Sequence, residues 1–236
     1  MHLPAPLLRG RLIKRYKRFL ADIALDDGDE ITAHCANPGS MLGVAIEGAR
    51  VWVSKSDNPK RKLAFSWELV EINKTLIPIN TTNPNKIAYE AIEAGGVPEL
   101  AGYGTIRREV KYGAASRVDL LLEGGRRRKP CYVEVKNVHL CRQPGLAEFP
   151  DSVTKRGAKH LAELAKVVQN GARAVMLFVV QRSDCRAFTP AADLDPGYAA
   201  ALKAARAAGV ETLCYDCEVS TSEVVLRKAL EQQLEP

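Results

Sequence analysis

Two acidic and two basic residues stand at spacings that would gather them on one face of a β-hairpin: Arg117 and Asp119 in Ser116-Arg117-Val118-Asp119, and Glu134 and Lys136 in Val133-Glu134-Val135-Lys136-Asn137. The segments Val118–Leu122 and Cys131–Val135 are apolar, rich in Val and Leu, and bracketed by turn residues, so each is expected as a strand. Gly124-Gly125, followed by Arg126–Lys129 and Pro130, supplies the turn. With that turn centred between Arg126 and Arg127, Asp119 faces Glu134 and Arg117 faces Lys136. Residues two apart on a strand share a face, so all four groups cluster. Two carboxylates facing each other at roughly 5 Å repel unless something cationic sits between them. A divalent metal fits that place, since Mg²⁺ takes one or two carboxylates together with waters and phosphate oxygens. Asp119 and Glu134 would hold it, with the carbonyl of Val135 as a further ligand. Lys136 would orient or help deprotonate the attacking water and stabilise charge on a phosphate. The same four residues also fit an ordinary amphipathic strand pair facing solvent, because a bare Glu-x-Lys is common.

The elements that must position this hairpin fall into two groups. The first third is expected to be all-β: Leu7–Leu25, interrupted by a basic patch, then Glu30–Cys35, Arg50–Ser54, Leu63–Ile72 and Leu76–Asn80, separated by Gly, Pro, Asn and Asp turns. About five strands in that length suit a small barrel of the OB type. A helix over Asn85–Ala94, ended by Gly95-Gly96 and Pro98, leads into a second region that alternates strand and helix. It comprises a strand at Ile106–Lys111, the hairpin, a helix from Thr154 to Asn170, a strand at Ala172–Gln181, a helix over Pro196–Ala208 and a strand at Glu211–Tyr215. The segment from Ser222 is expected as a terminal helix. Such alternation argues for an α/β layer. The domains are therefore placed at residues 1–84 and 85–236.

An Asp followed by Glu-x-Lys on adjacent strands resembles the core signature of the PD-(D/E)XK nuclease-like fold. Longer blocks resemble the sugar fermentation stimulation protein A family: Leu12 to Asp22, His34-Cys35-Ala36-Asn37-Pro38-Gly39-Ser40-Met41, Asn58 to Lys62, the two hairpin strands, and Phe149-Pro150-Asp151-Ser152-Val153-Thr154 through Leu161. These run in family order to about residue 200. Ala36 departs from the pattern, where Pro is expected before the Asn. The resemblance implies an OB-like N-terminal domain joined to a PD-(D/E)XK nuclease-like α/β domain. It also implies DNA binding and a connection with regulation of sugar (maltose) utilisation. In nuclease-like folds the helix after the Glu-x-Lys strand often adds groups to the site. Arg156 is the expected phosphate contact, and His160 a proton shuttle or outer metal contact. An acidic residue from the first helix is often a third metal ligand; Glu90 is the candidate.

Charge agrees with a polyanionic partner. The chain of 236 residues carries 34 Lys and Arg against 28 Asp and Glu, a net charge of +6. Bases concentrate at Arg11, Lys14, Arg15, Lys17 and Arg18, at Lys60-Arg61-Lys62, at Arg107-Arg108 and at Arg126–Lys129. Tyr16 and Phe19 stand among the first group, where they could stack on nucleobases. Solvated basic turns account for any single cluster; several in one modest chain favour DNA. Taken together these residues predict a largely sequence-non-specific DNA-binding protein with a site for Mg²⁺ or Mn²⁺, the alternative being an active Mg²⁺-dependent endo- or exonuclease. A homodimer is compatible with the sequence, and no membrane partner is expected.

No run approaches the ~18 apolar residues of a membrane helix. The Met-His-Leu-Pro-Ala-Pro start is followed by bases rather than an apolar signal core, so a cytoplasmic location is expected. Six scattered cysteines do not suggest a disulfide framework. Cys214-x-x-Cys217 has zinc spacing but lacks a second pair, and a closed site needs four ligands. Its place late in the chain does not suit a thioredoxin-like motif. Gly102-x-Gly104 lacks the third glycine of a dinucleotide fingerprint.

Overall fold

The computed structural model describes residues 1–113, 116–125 and 128–234. Six strands build the first domain: β1 (Leu7–Tyr16), β2 (Leu20–Leu25), β3 (Glu30–Cys35), β4 (Arg50–Lys55), β5 (Phe65–Ile72) and β6 (Thr75–Pro78). They lie in the order β3-β2-β1-β4-β5-β6, and a parallel pairing of β3 with β5 closes five of them into a barrel. Alternate residues point inward, as along β2, where Ala21, Ile23 and Leu25 are buried between half-exposed neighbours. With Leu12, Met41 and Trp67 they fill the barrel. The long β-rich run at the N-terminus is a hairpin broken at Lys17-Arg18, both at positive φ (48° and 62°).

The second domain follows as α1 (Asn83–Glu93), β7 (Thr105–Tyr112), β8 (Ser116–Glu123), β9 (Cys131–Val138), β10 (Leu140–Gln143), β11 (Leu146–Phe149), α2 (Lys155–Gln169), β12 (Arg173–Val180), β13 (Ala187–Pro190), α3 (Pro196–Ala207), β14 (Glu211–Val219), β15 (Val224–Ala229) and β16 (Glu231–Gln232). Its main sheet has the order β15-β14-β12-β9-β8-β7, with β9, β12 and β14 parallel and both edges antiparallel. The central strand β12 reads Arg-Ala-Val-Met-Leu-Phe-Val-Val, and all but its first residue are buried, as a strand covered on both faces requires. Ile87, Ala88 and Ile92 of α1 pack on one face with Val133, Val135, Val175 and Leu177. Leu161 and Leu164 of α2, with Tyr198 and Leu202 of α3, pack on the other with Met176 and Phe178.

Two expectations change. The segment from Ser222 is not a helix: Val224 and Val225 are β-branched, and β15 pairs with the edge of β14 from Val219↔Val224 to Tyr215↔Ala229. Fully buried Asp216 holds that edge, accepting from the Arg227 guanidinium and from the Lys228 N–H at 3.0 Å. A second small sheet, β10-β11-β13-β16, was not anticipated, because its strands have four residues or fewer. The Pro144-Gly145 turn with φ +84° at Gly145 is its one visible sequence signal.

The domains are joined by packing and by polar contacts. Leu69 of β5 and Leu3 share the core under α1. Asp151 accepts from the Met41 N–H at 2.9 Å, and its carbonyl accepts from the Ser40 hydroxyl at 2.7 Å. Arg15 braces the same loop, donating to the carbonyls of Arg18, Asn37 and Gly39 at 2.8–2.9 Å. Asp195 ties the two helix starts together. It caps α3 through the Tyr198 N–H and accepts from the N–H of Thr154, which itself caps α2 through Gly157.

Replacing Asp216 by Ala should loosen the β14–β15 edge, because it removes a buried acceptor of several hydrogen bonds. Chemical denaturation is expected to show a loss on the order of 1–3 kcal/mol.

Candidate metal and phosphate site

The β8–β9 ladder has the expected register, with Leu120↔Val133, Leu121↔Tyr132 and Leu122↔Cys131 paired. The turn centre at residues 126 and 127 lies outside the described residues, as does the corresponding part of the Arg126–Lys129 basic cluster. The ladder ends where the charged residues begin. Asp119 takes no backbone partner on β9; one carboxylate oxygen accepts the Val135 N–H at 2.7 Å. On its other side the β7–β8 ladder runs to Arg108↔Leu120 and resumes at Val110↔Val118, skipping Glu109 and Asp119. Glu109 has φ +53°, a conformation uncommon outside glycine and often found at functional sites. Across this break the facing reverses. Val118 packs in the core under α2, whereas Leu120 and Leu122 pack in the core under α1. Strand alternation alone would put all three on one side.

Glu134 is 2% exposed. Its Oε1 accepts from Lys136 Nζ at 2.8 Å and makes a short contact with His160 Nδ1. Arg156 Nε donates to His160 Nε2 at 3.3 Å, which leaves the Nδ1 proton for Glu134. The other oxygen, Oε2, is buried without a hydrogen-bond partner. Asp119 Oδ1 accepts from Asn85 Nδ2 at 2.7 Å. Burial and then the charge of Glu134 push its pKa up to about 6. Burial alone would raise Glu134 as well, but His160 and Lys136 hold it below the usual carboxylate value. Two carboxylates thus sit close together, one resisting ionisation and one with an unused buried oxygen. Oxygen donors of this kind suit Mg²⁺, Mn²⁺ or Ca²⁺. Among the described residues no three His, Cys, Asp or Glu side chains form a ready metal cluster, so waters or phosphate oxygens would complete the shell.

The cleft over Asp119 has a volume of about 800 Å³ and is lined by four cations, Arg108, Arg117, Arg156 and Lys159. Arg117 and Arg156 are the two of these four expected at the site from the sequence. Arg108 stood in a noted basic pair, and Lys159 in one of the longer blocks. Asn85 had no sequence signal, being 34 residues from the carboxylate it meets.

Several expected residues lie elsewhere. Glu90 does not join the carboxylates. It pairs with the Met1 amine at 2.8 Å and with Lys86, leaving Asn85 as the α1 residue on Asp119. Arg15 is committed to the loop carbonyls. Arg11 donates to the Gly48 carbonyl, and Lys14 lies 3.5 Å from Asp22. Lys17, Arg18, Lys60, Arg61 and Lys62 are exposed on the barrel and do not line the cleft. His160, expected as a proton shuttle or outer metal contact, is buried, as is Glu163 one turn further along α2. Cys214 and Cys217 pack on opposite faces of the main sheet, which removes them as a zinc pair.

The raised pKa of Asp119 sets the sign of a pH effect. Its proton binds more tightly in the folded chain, so its contribution to stability is fully present below about pH 4 and is lost as pH rises through about 6. Glu134 works oppositely and only below its ordinary value of 4.5, so it overlaps that window at its acid end alone and does not change between pH 5 and 7.5. Metal-free thermal melts should therefore show Asp119→Asn more stable than the parent at pH 7.5, on the order of 1 kcal/mol. The difference should shrink toward pH 5.

Sequence and structure comparisons bear on the whole chain. Residues 13–79 match the SfsA N-terminal OB domain, and residues 82–223 match the sugar fermentation stimulation protein RE domain. A sugar fermentation stimulation protein homolog from Maricaulis maris is 58% identical over 234 residues, covering 99% of both chains. One from Caulobacter vibrioides is 56% identical over 230 residues, covering 98% of this chain and 96% of its own. The structure of Pyrococcus furiosus SfsA in complex with Ca²⁺ superposes with a TM-score of 0.85 at 28% identity, covering 99% of this chain and 98% of that one. The barrel, the α/β domain and the sequence matches across both agree: this chain belongs to the sugar fermentation stimulation protein family.

Proposed function

We propose that this protein binds DNA mainly through the phosphate backbone, with little sequence preference, and that Asp119 and Glu134 hold a divalent metal in a nuclease-like site. The observation that carries this reading is the buried, unpartnered Glu134 Oε2, on a carboxylate whose charge acts on Asp119, together with the cleft that Asp119 borders and four cations line. The solved Pyrococcus furiosus relative is described as a Ca²⁺ complex, which supports an oxygen-seeking cation in this family. A bound Mg²⁺ or Mn²⁺ would polarise a phosphoryl oxygen and neutralise charge on it. Arg108, Arg117, Arg156 and Lys159 would hold the flanking phosphates. Lys136, only 14% exposed and held by Glu134, would stabilise charge developing on the phosphate. His160 and Arg156 keep Glu134 oriented.

A second reading makes the protein an active Mg²⁺-dependent deoxyribonuclease. The intact Asp119, Glu134 and Lys136 favour it, since a site surviving as scaffold alone need not keep the lysine. The family's connection with sugar utilisation favours a regulator that binds metal and DNA without turnover. Incubation with single-stranded, duplex and branched DNA in Mg²⁺ or Mn²⁺ separates the two.

Millimolar Mn²⁺ should raise the melting temperature, because a ligand that binds only the native state stabilises it. Asp119→Asn should abolish that rise. Lys136→Ala should retain it and, if the parent cuts DNA, reduce cleavage by about 10²-fold or more. Log affinity for duplex DNA should fall with log salt by roughly 0.9 per phosphate contact. Replacing Lys17 and Arg18 together by Ala should weaken all sequences alike. A variant that lost one sequence while keeping the rest would contradict backbone-dominated binding.

A further inference from the structure

A second cavity adjoins the cation-lined cleft. It has a volume of about 310 Å³, lies where the barrel meets the second domain, and shares Thr81 with the cleft as a common wall. Thr154 at the start of α2 borders it, and Arg156, two residues on, borders the cleft. The two spaces are therefore consecutive parts of one groove.

Their chemistry differs. Among the described residues, no Lys or Arg lines the second cavity. Its walls include the amides of Asn37 and Asn137, the imidazole of His139, the ring of Phe149 and the carboxylate of Asp151. Burial pushes the pKa of His139 down to about 4, so the imidazole is uncharged at neutral pH. The polar groups are fixed in advance. Asn37 donates to the Ile79 carbonyl at 2.9 Å and accepts from the Gly39 N–H at 2.9 Å. Asn137 accepts from fully buried Gln181 at 2.6 Å. A phosphate entering here would meet a carboxylate and no cation. A flat uncharged heterocycle would meet an aromatic ring, apolar wall and prearranged donors and acceptors, the combination that holds extruded bases elsewhere.

We propose that this cavity receives an unpaired nucleobase from the strand whose phosphates lie in the adjoining cleft. The inference rests on the nucleic-acid-binding reading above and adds the substrate class. An unpaired base enters without the unstacking and unpairing energy that a duplex base costs, so single-stranded or locally opened DNA is the preferred form.

The test compares two probes of equal length and charge, with the intact protein in Ca²⁺ at low salt. One is a single-stranded thymidine oligonucleotide; the other is its fully abasic tetrahydrofuran analogue. The pocket requires the abasic strand to bind about tenfold more weakly or worse, the usual size of one base–aromatic stack. A 4-thiothymidine version of the first strand should photocrosslink within residues 137–154 or 37–39, mapped by mass spectrometry. Equal affinity for the two strands would overturn the base pocket while leaving backbone binding intact. Crosslinks confined to Phe19 and its surroundings on the barrel would also overturn it. Failure of either strand to bind at low salt would overturn the nucleic-acid reading itself, and this inference with it.

Discussion

Two carboxylates held close together in a poorly hydrated place set the terms for the rest of this structure. Asp119 and Glu134 could relieve their repulsion by protonation, by separation or by a cation. The protein does some of the first, with Asp119 pushed up to about 6, and on one side it pairs Glu134 with the Lys136 ammonium and a hydrogen bond from His160. It does not separate them. The strands part at this point, and the Val135 N–H is given to the Asp119 side chain instead of a backbone carbonyl. Both neighbouring ladders are interrupted, and Glu109 is carried into a left-handed conformation. A sheet built only for stability would not leave Glu134 Oε2 buried and unpaired, since an unmet buried acceptor costs about 1–3 kcal/mol.

The surrounding elements hold that arrangement fixed. Helix α1 brings Asn85 to Asp119, and α2 brings His160 to Glu134. The start of α2 is in turn located by Asp195, whose carboxylate also caps α3. The loop before α2 is pinned to the barrel through Asp151, and the barrel side of that contact is braced by Arg15. The OB-type domain therefore does more than add a basic surface. It forms one wall of the groove that continues from the cleft.

What could be read from the chain follows from the range of each interaction. The hairpin register was legible because strand alternation and a short turn are local. The barrel was legible from the spacing of its strands and turns. Glu90 was misplaced because a helix contributes only one face to a cleft. Asn85, five residues earlier, occupies the face that meets Asp119, while Glu90 meets the Met1 amine from the far end of the chain. Arg15 looked like its basic neighbours, and only the folded loop reveals the carbonyls that engage it. The segment from Ser222 is a strand where a terminal helix is expected from the sequence. Val224, Val225 and the unpaired edge of β14 decide it as a strand, a tertiary choice that local propensity does not record.

The central claim is that the close pair of Asp119 and Glu134 is a divalent-metal site. Anomalous diffraction from a crystal soaked in millimolar Mn²⁺ tests it most directly. The expected result is one strong peak within ligand distance, about 2.0–2.6 Å, of oxygens from both carboxylates, absent from an Asp119→Asn crystal treated in the same way. No peak at this pair, or manganese bound only at other carboxylates such as Asp151, would contradict it.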